Sequence, residues 1–197
     1  MAIETSMEEL NELLGPIKEG DIILITFNDK NTARIFSQYL VPKKGNAIII
    51  STDFKPDTIN ANAIFIDAYS LERGVKPREG DRAVYVSSIN DISLETSQLI
   101  SDKQINAVII LSISTLLKKN PKDAVMRFID LISARIKETG GALILLSDEK
   151  GEDIDTLEAL ANINIKLTTK DNNVLLTSNA FPFPLELIIF ADKMVVK

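Results

Sequence analysis

The residues with chemistry to offer are few, and the first group follows an apolar run directly. Asn28, Asp29, Lys30, Asn31 and Thr32 come straight after Ile22–Phe27. A lysine and a hydroxyl at a helix start suit the holding of an anion, because the free N–H groups of a first turn carry partial positive charge. They suit a plain helix cap beside a solvated lysine equally well. Asp53 closes a second apolar run. Asp148, Glu149, Glu152, Asp153 and Asp155 follow another, where acids fit either a hard cation held through oxygen or a solvated loop entering a helix. Arg73, Lys76, Arg78 and Arg82 form a locally basic stretch suited to phosphates. Glu72, Glu79 and Asp81 interleave with it, so a mixed-charge surface loop explains it too. The chain has no histidine and no cysteine. That excludes Ser-His-Asp and Cys-His catalysis, imidazole or thiolate metal sites and disulfides. What remains is chemistry run by carboxylates, lysine, tyrosine, backbone amides or bound Mg²⁺.

The elements that must position these residues are legible as alternating apolar runs and helical stretches. The 197 residues carry 22 Lys+Arg against 28 Asp+Glu, a net charge of −6, with 45% hydrophobic and 25% charged residues. This is the composition of an ordinary globular chain, of a length suited to one domain. Strands are predicted at 22–27, 47–52, 63–68, 83–87, 107–113, 142–147, 174–177 and 187–190. Several are apolar at consecutive positions, as strands covered on both faces must be. Helices are predicted at 32–40, 93–102, 122–138 and 153–160. In the third, Val125, Phe128, Ile129, Ile132 and Ile136 repeat at three- and four-residue spacing, one core-facing stripe. Asn120 fits as its cap ahead of Pro121, and Gly140-Gly141 ends it. Alternating strands and helices predict an α/β fold with a mainly parallel sheet and helices on both faces. From 163 onward the turn-prone Lys170-Asp171-Asn172-Asn173 predicts a hairpin, hence antiparallel strands at the end of the chain. Phe181-Pro182-Phe183-Pro184 is expected to interrupt regular structure. Its two phenylalanines fit either an exposed anchor for another chain or a core plug.

No run reaches the roughly 20 apolar residues that span a bilayer, and residues 1–14 lack the cationic and apolar regions of an export signal. Residues 1–18 read as a short helical segment. The expectation is a cytoplasmic protein with no membrane contact. Net acidity counts against broad nucleic-acid binding, which depends on counterion release from a basic face.

Asp21-Ile22-Ile23-Leu24-Ile25-Thr26, then Phe27 to Thr32 and a helix, resembles the opening of RecA-fold ATPases, above all the KaiC-like branch. Further stretches are similar in the same order: Ile48 to Asp53, Phe65 to Ser70, Ser87 to Ser93, Val108 to Leu117 and Leu157 to Asn162. The resemblance implies a RecA-like, P-loop NTPase-type three-layer sandwich spanning 1–197, with a C-terminal hairpin and last strand in 163–197. It also implies where nucleotide chemistry belongs, and both places depart from the pattern. The family's P-loop uses glycines so that backbone N–H groups wrap phosphates, while a lysine and a hydroxyl serve phosphate and Mg²⁺. Between Thr26 and Thr32 there are five residues and no glycine, where the family's loop is about two residues longer. Asp29 sets a negative charge beside the expected phosphate. Leu111 stands at the position of the aspartate that orders Mg²⁺, and a leucine cannot. Asp53 falls where the family keeps its catalytic acid. Asn28, Asp29, Lys30, Asn31, Thr32, Asp53 and Leu111 are therefore read as a vestigial nucleotide site with no catalytic residue, no metal and no ATP–Mg²⁺ cofactor. Phe181 and Phe183 are the candidate contact residues. The expected role is that of a pseudo-ATPase acting by contact, as a homo-oligomer or docked on a RecA-family ATPase partner. A small-molecule or nucleotide sensor with a remodelled pocket near Thr26–Thr32 and Asp53 is the alternative.

Overall fold

Consecutive apolar residues at 22–27, 46–51, 105–111 and 142–148 can be buried together only in strands covered on both sides, and the fold is organised around that requirement. The computed structural model describes residues 11, 17–42, 44–55, 63–151, 153–190 and 193–197. Most of the expected N-terminal helical segment, and Glu152, lie outside them. The parallel strands are β1 (Ile22–Phe27), β2 (Asn46–Ser51), β3 (Ala63–Asp67), β4 (Arg82–Ala83), β5 (Ile105–Leu111), β6 (Ala142–Asp148) and β7 (Ile163–Lys170). Three antiparallel strands follow: β8 (Asn173–Ser178), β9 (Phe181–Phe190) and β10 (Lys193–Val196). All ten form one sheet in the order β10-β9-β8-β7-β1-β6-β5-β2-β3-β4. The connecting helices are α1 (Lys30–Ser37), α2 (Ile89–Asp102), α3 (Ile113–Lys119), α4 (Lys122–Glu138) and α5 (Ile154–Leu160).

Side-chain alternation along each strand divides the core in two. Ile23, Ile25 and Phe27 point to the face covered by Ile35 and Phe36 of α1, together with Ile49, Ile109, Leu111 and Ile144. Leu24, Ile48, Ile50, Val108, Ile110, Leu143 and Leu145 point to the other, against Ile92 and Leu99 of α2, Ile129 and Ile132 of α4 and Leu157 of α5. Each such side chain, fully buried, contributes about 1.5–3 kcal/mol relative to exposure, so the doubly covered strands dominate stability. The stripe expected on α4 is the one buried. The antiparallel extension has one covered face, with Ile165, Leu167, Val174, Leu176 and Leu187 inward and Lys166, Leu175 and Glu186 exposed.

Four local expectations are corrected. The strand expected over 83–87 shrinks to Arg82–Ala83: Val84 N–H still reaches the Asp67 carbonyl, but Ser88 N–H closes a turn on Tyr85. The strand expected over 107–113 is shorter than its apolar run. The run breaks at Ser112, whose φ of 83° ends β5, and continues as α3. Periodicity alone cannot separate the two in an unbroken apolar run. Asn120 is the C-cap of α3, not a cap for α4, and its side chain donates to the Val86 and Leu116 carbonyls. Phe181–Pro184 is continuous strand, because both prolines lie in the part of β9 that β10 does not pair with. A missing N–H there removes no ladder bond on that side.

Gly45, at φ 89°, shows how tightly β2 is registered against β5. A Cβ there would lie 1.8 Å from Asn106 Oδ1. That oxygen accepts from Asn46 N–H at 3.2 Å, where the β2–β5 register shifts. Gly45→Ala is expected to lower stability by about 1–3 kcal/mol through strain and the displaced amide. Urea denaturation should show a lower midpoint at an unchanged m-value.

Candidate functional site

In an open parallel sheet, ligands meet the carboxyl ends of strands where successive connections leave for opposite faces. Here β1 continues into α1 on one face while its neighbour β6 continues into α5 on the other. Asn28 to Thr32 lie at that junction. Asp29 is the N-cap of α1, with an extended backbone (φ −134°, ψ 123°), and its Oδ2 accepts from Thr32 N–H and from Thr32 Oγ1, each at 2.7 Å. The carboxylate thus takes the position at the helix N-terminus where an external anion would bind. Thr32 is fully buried and its hydroxyl also meets Thr169 Oγ1 of β7 at 2.8 Å. Asn28 fastens the loop to the same strand, its Oδ1 accepting from Thr169 N–H at 2.8 Å and its Nδ2 donating to the Thr169 carbonyl at 3.2 Å. Asn31 Oδ1 accepts from Arg34 at 2.6 Å on the outer side of α1. Side chains, not a ring of backbone amides, shape this turn.

Lys30 and Asp53 are brought together, Nζ to Oδ2 at 2.5 Å. Arg73 approaches the other oxygen of Asp53 at 3.8 Å and lies over the Tyr69 ring, 5.4 Å from its centroid. Leu111 is wholly buried in the core on the α1 face. Its carbonyl and that of Ser112 both accept from the Thr52 hydroxyl, the latter at 2.8 Å. The candidate acids after β6 are spread out. Asp153 pairs with Lys122, Glu149 with Lys166 at 3.2 Å, and Asp148 Oδ1 accepts from Lys150 N–H at 2.9 Å. Among the described residues no three acids come together as a metal site. In the basic loop, Arg82 pairs with Glu95, and Lys119 of α3 with Glu72. Phe181 and Phe183 are separated by the strand alternation: Phe181 packs in the core, while Phe183 is 76% exposed. Phe181 is thereby corrected from contact residue to core plug.

A second ionic group at the strand ends escaped sequence reasoning. Asp67, fully buried at the end of β3, accepts from Lys55 Nζ, from Tyr69 N–H at 3.1 Å and from Ser70 N–H at 2.9 Å, and Lys55 also reaches Asp81 at 3.4 Å. Burial pushes the Asp67 carboxyl up, but hydrogen bonds from Lys55 and Ser70 and the Lys55 charge together hold it below the usual aspartate value. The available signal was an acid ending an apolar run, the same pattern that drew attention to Asp53.

Solved structures share the fold of this chain. The flagellar accessory protein FlaH from Methanocaldococcus jannaschii superposes with a TM-score of 0.72 at 16% identity, covering 99% of each chain. A KaiC-like protein from the hyperthermophilic archaeon Pyrococcus horikoshii OT3 gives 0.70 at 12% identity, covering 100% of this chain and 99% of its own. This chain has the RecA-like fold. An uncharacterized Pyrococcus horikoshii protein, solved in complex with an unknown peptide, gives 0.64 at 16% identity over 97% of each chain. No family model and no curated protein matches the sequence. No described helix is long and apolar enough to cross a membrane.

The Asp67 network sets a pH dependence with a definite sign. A carboxyl whose folded value lies below its unfolded value stabilises the protein at neutral pH. That contribution is lost as pH falls from about 4 through the folded value. Asp67→Asn is therefore expected to cost about 1.5–3 kcal/mol at pH 7. The difference from wild type should shrink progressively below about pH 4, as measured by urea midpoints across pH.

Proposed function

We propose that this chain is a catalytically silent RecA-like domain that acts through contact, by self-association or by docking on a RecA-family ATPase. The observation carrying this reading is the Asp29 carboxylate on the N-terminus of α1. It saturates the Thr32 donors a phosphate would need and adds a negative charge where a triphosphate would bring several more. The turn has no glycine to present successive N–H groups, Lys30 is engaged by Asp53, and Leu111 offers no oxygen to Mg²⁺. The residues present do not fit ATP–Mg²⁺. Exposed Phe183, Phe190 and Val195 near the sheet edge support a docking role. So do the names of two structural neighbours, one an accessory protein and one solved with a peptide.

A sensor reading draws on one observation, a polar pocket of about 210 Å³ beside Thr26, lined also by Lys166, Asn164 and Thr177. Asn164 Oδ1 is buried there with no hydrogen-bond partner, so the pocket holds an unspent acceptor.

The contact reading has a direct test. The purified protein is expected to show no ATP hydrolysis above background, no thermal stabilisation by Mg-ATP, and a particle mass above one chain or a co-purifying partner in mass photometry. Substituting Phe183 and Phe190 by Ser should weaken that association by about tenfold or more. A monomer that hydrolyses ATP at an enzyme-like rate overturns the reading.

A further inference from the structure

A different cavity, of about 310 Å³, opens between α3 and α5 at the carboxyl ends of β5 and β6. Ser114, Ser147, Lys118, Leu117, Ile154 and Leu157 line it. Its volume falls at the lower end of the range of small-molecule sites. Three observations define what it would take. Leu117, Ile154 and Leu157 form an apolar wall of the kind that shelters a hydrocarbon or aromatic body. Ser114 and Ser147 are 4% and 1% exposed, yet their hydroxyls are held loosely. Ser147 Oγ finds only the Asp148 carbonyl at 3.3 Å, and Ser114 Oγ meets Ser112 Oγ at 3.1 Å and Asp148 N–H at 3.3 Å. All are longer than well-formed bonds of their type, so both hydroxyls retain capacity for a further partner. The charges at the rim are unequal. Asp153 is neutralised by Lys122, whereas no described carboxylate pairs with Lys118. The lining therefore combines two buried hydroxyls, an apolar wall and, at its exposed rim, a lysine with no described carboxylate partner.

We infer that this cavity is a binding site for a small organic anion, a carboxylate or phosphate ester on a compact apolar body. The anionic group would pair with Lys118 and the serine hydroxyls, and the body would lie against Leu117, Ile154 and Leu157. Asp29 and the turn into α1 are not part of it, so it stands whether or not the contact reading does.

Calorimetric titration of the 197-residue protein with benzoate, hexanoate and phenyl phosphate tests the site, with benzamide and hexanamide as uncharged controls. At least one anion should bind with a dissociation constant below about 1 mM, an ordinary affinity for a ligand this small. Its amide or unphosphorylated counterpart should bind about tenfold more weakly or worse, as loss of one charge-assisted contact requires. Whether the carboxylates or the phosphate ester bind better identifies the anionic group. Lys118→Met keeps the aliphatic stem and should reproduce the tenfold loss, while Lys118→Arg keeps the charge and should retain most of the affinity. Circular dichroism checks that both variants fold. The proposal is overturned if no anion binds, if the amides bind equally well, or if Lys118→Met binds like wild type.

Discussion

A helix that starts at the mouth of a parallel sheet has unsatisfied N–H groups pointing at the one place where ligands arrive, and something negative must answer them. Here the chain supplies its own anion. Asp29 accepts from both the amide and the hydroxyl of Thr32, and from this one cap much of the site geometry follows. Thr32 is drawn fully inside and can then bond Thr169, while Asn28, one residue ahead of the cap, reaches the backbone of the same residue. The turn, the helix and the first strand of the antiparallel extension are fastened at a single point. A glycine-lined loop would leave that position open for a ligand, whereas side chains fill it from within.

The other charges at the strand ends follow the same rule. Lys30 and Arg73 face Asp53, and Lys55 faces Asp67 and Asp81. A buried carboxylate such as Asp67 persists only with donors on its lone pairs, and it has a lysine and two backbone amides. Cations that would steer a polyanion toward this edge are answered by carboxylates of the chain itself, which shortens the reach of their field. Lys118, with no described carboxylate partner, stands at the exposed rim of a cavity.

The doubly covered strands were the most legible part of the sequence. Ile22–Phe27 and the α4 helix match their expected bounds, since long apolar runs and sustained three-four spacing each admit one interpretation. The hairpin was legible for a different reason: Asp171, at φ 57°, is a residue type that tolerates the left-handed turn its position demands. What stayed hidden turned on contacts between distant residues. Whether Ile113 ends a strand or starts a helix depended on Ser112, a residue whose type gives no hint of its backbone angle. Whether Asn120 caps the helix ahead of it or the one behind depended on Val86, 34 positions away. At the site, the turn after β1 was readable because it is local, five residues between two elements. Lys55 and Asp67 meet only because β2 and β3 lie side by side, and nothing in their spacing of 12 announces it.

The fold does not need a ligand at its mouth to be stable. The hydrophobic stabilisation lies in strands β1, β2, β5 and β6, whose inward residues are covered mainly by neighbouring strands and by helices on both faces. A glycine-rich phosphate loop makes the opposite demand: it costs backbone entropy on folding and leaves donors unpaired until an anion arrives. Exchanging it for a short turn with a built-in carboxylate lowers both costs, since a capping aspartate alone is worth about 1 kcal/mol. On the proposed reading, then, stability and nucleotide chemistry pull the same five residues in opposite directions. On that reading this chain sits at the stable end, with the sheet serving to hold surfaces in place.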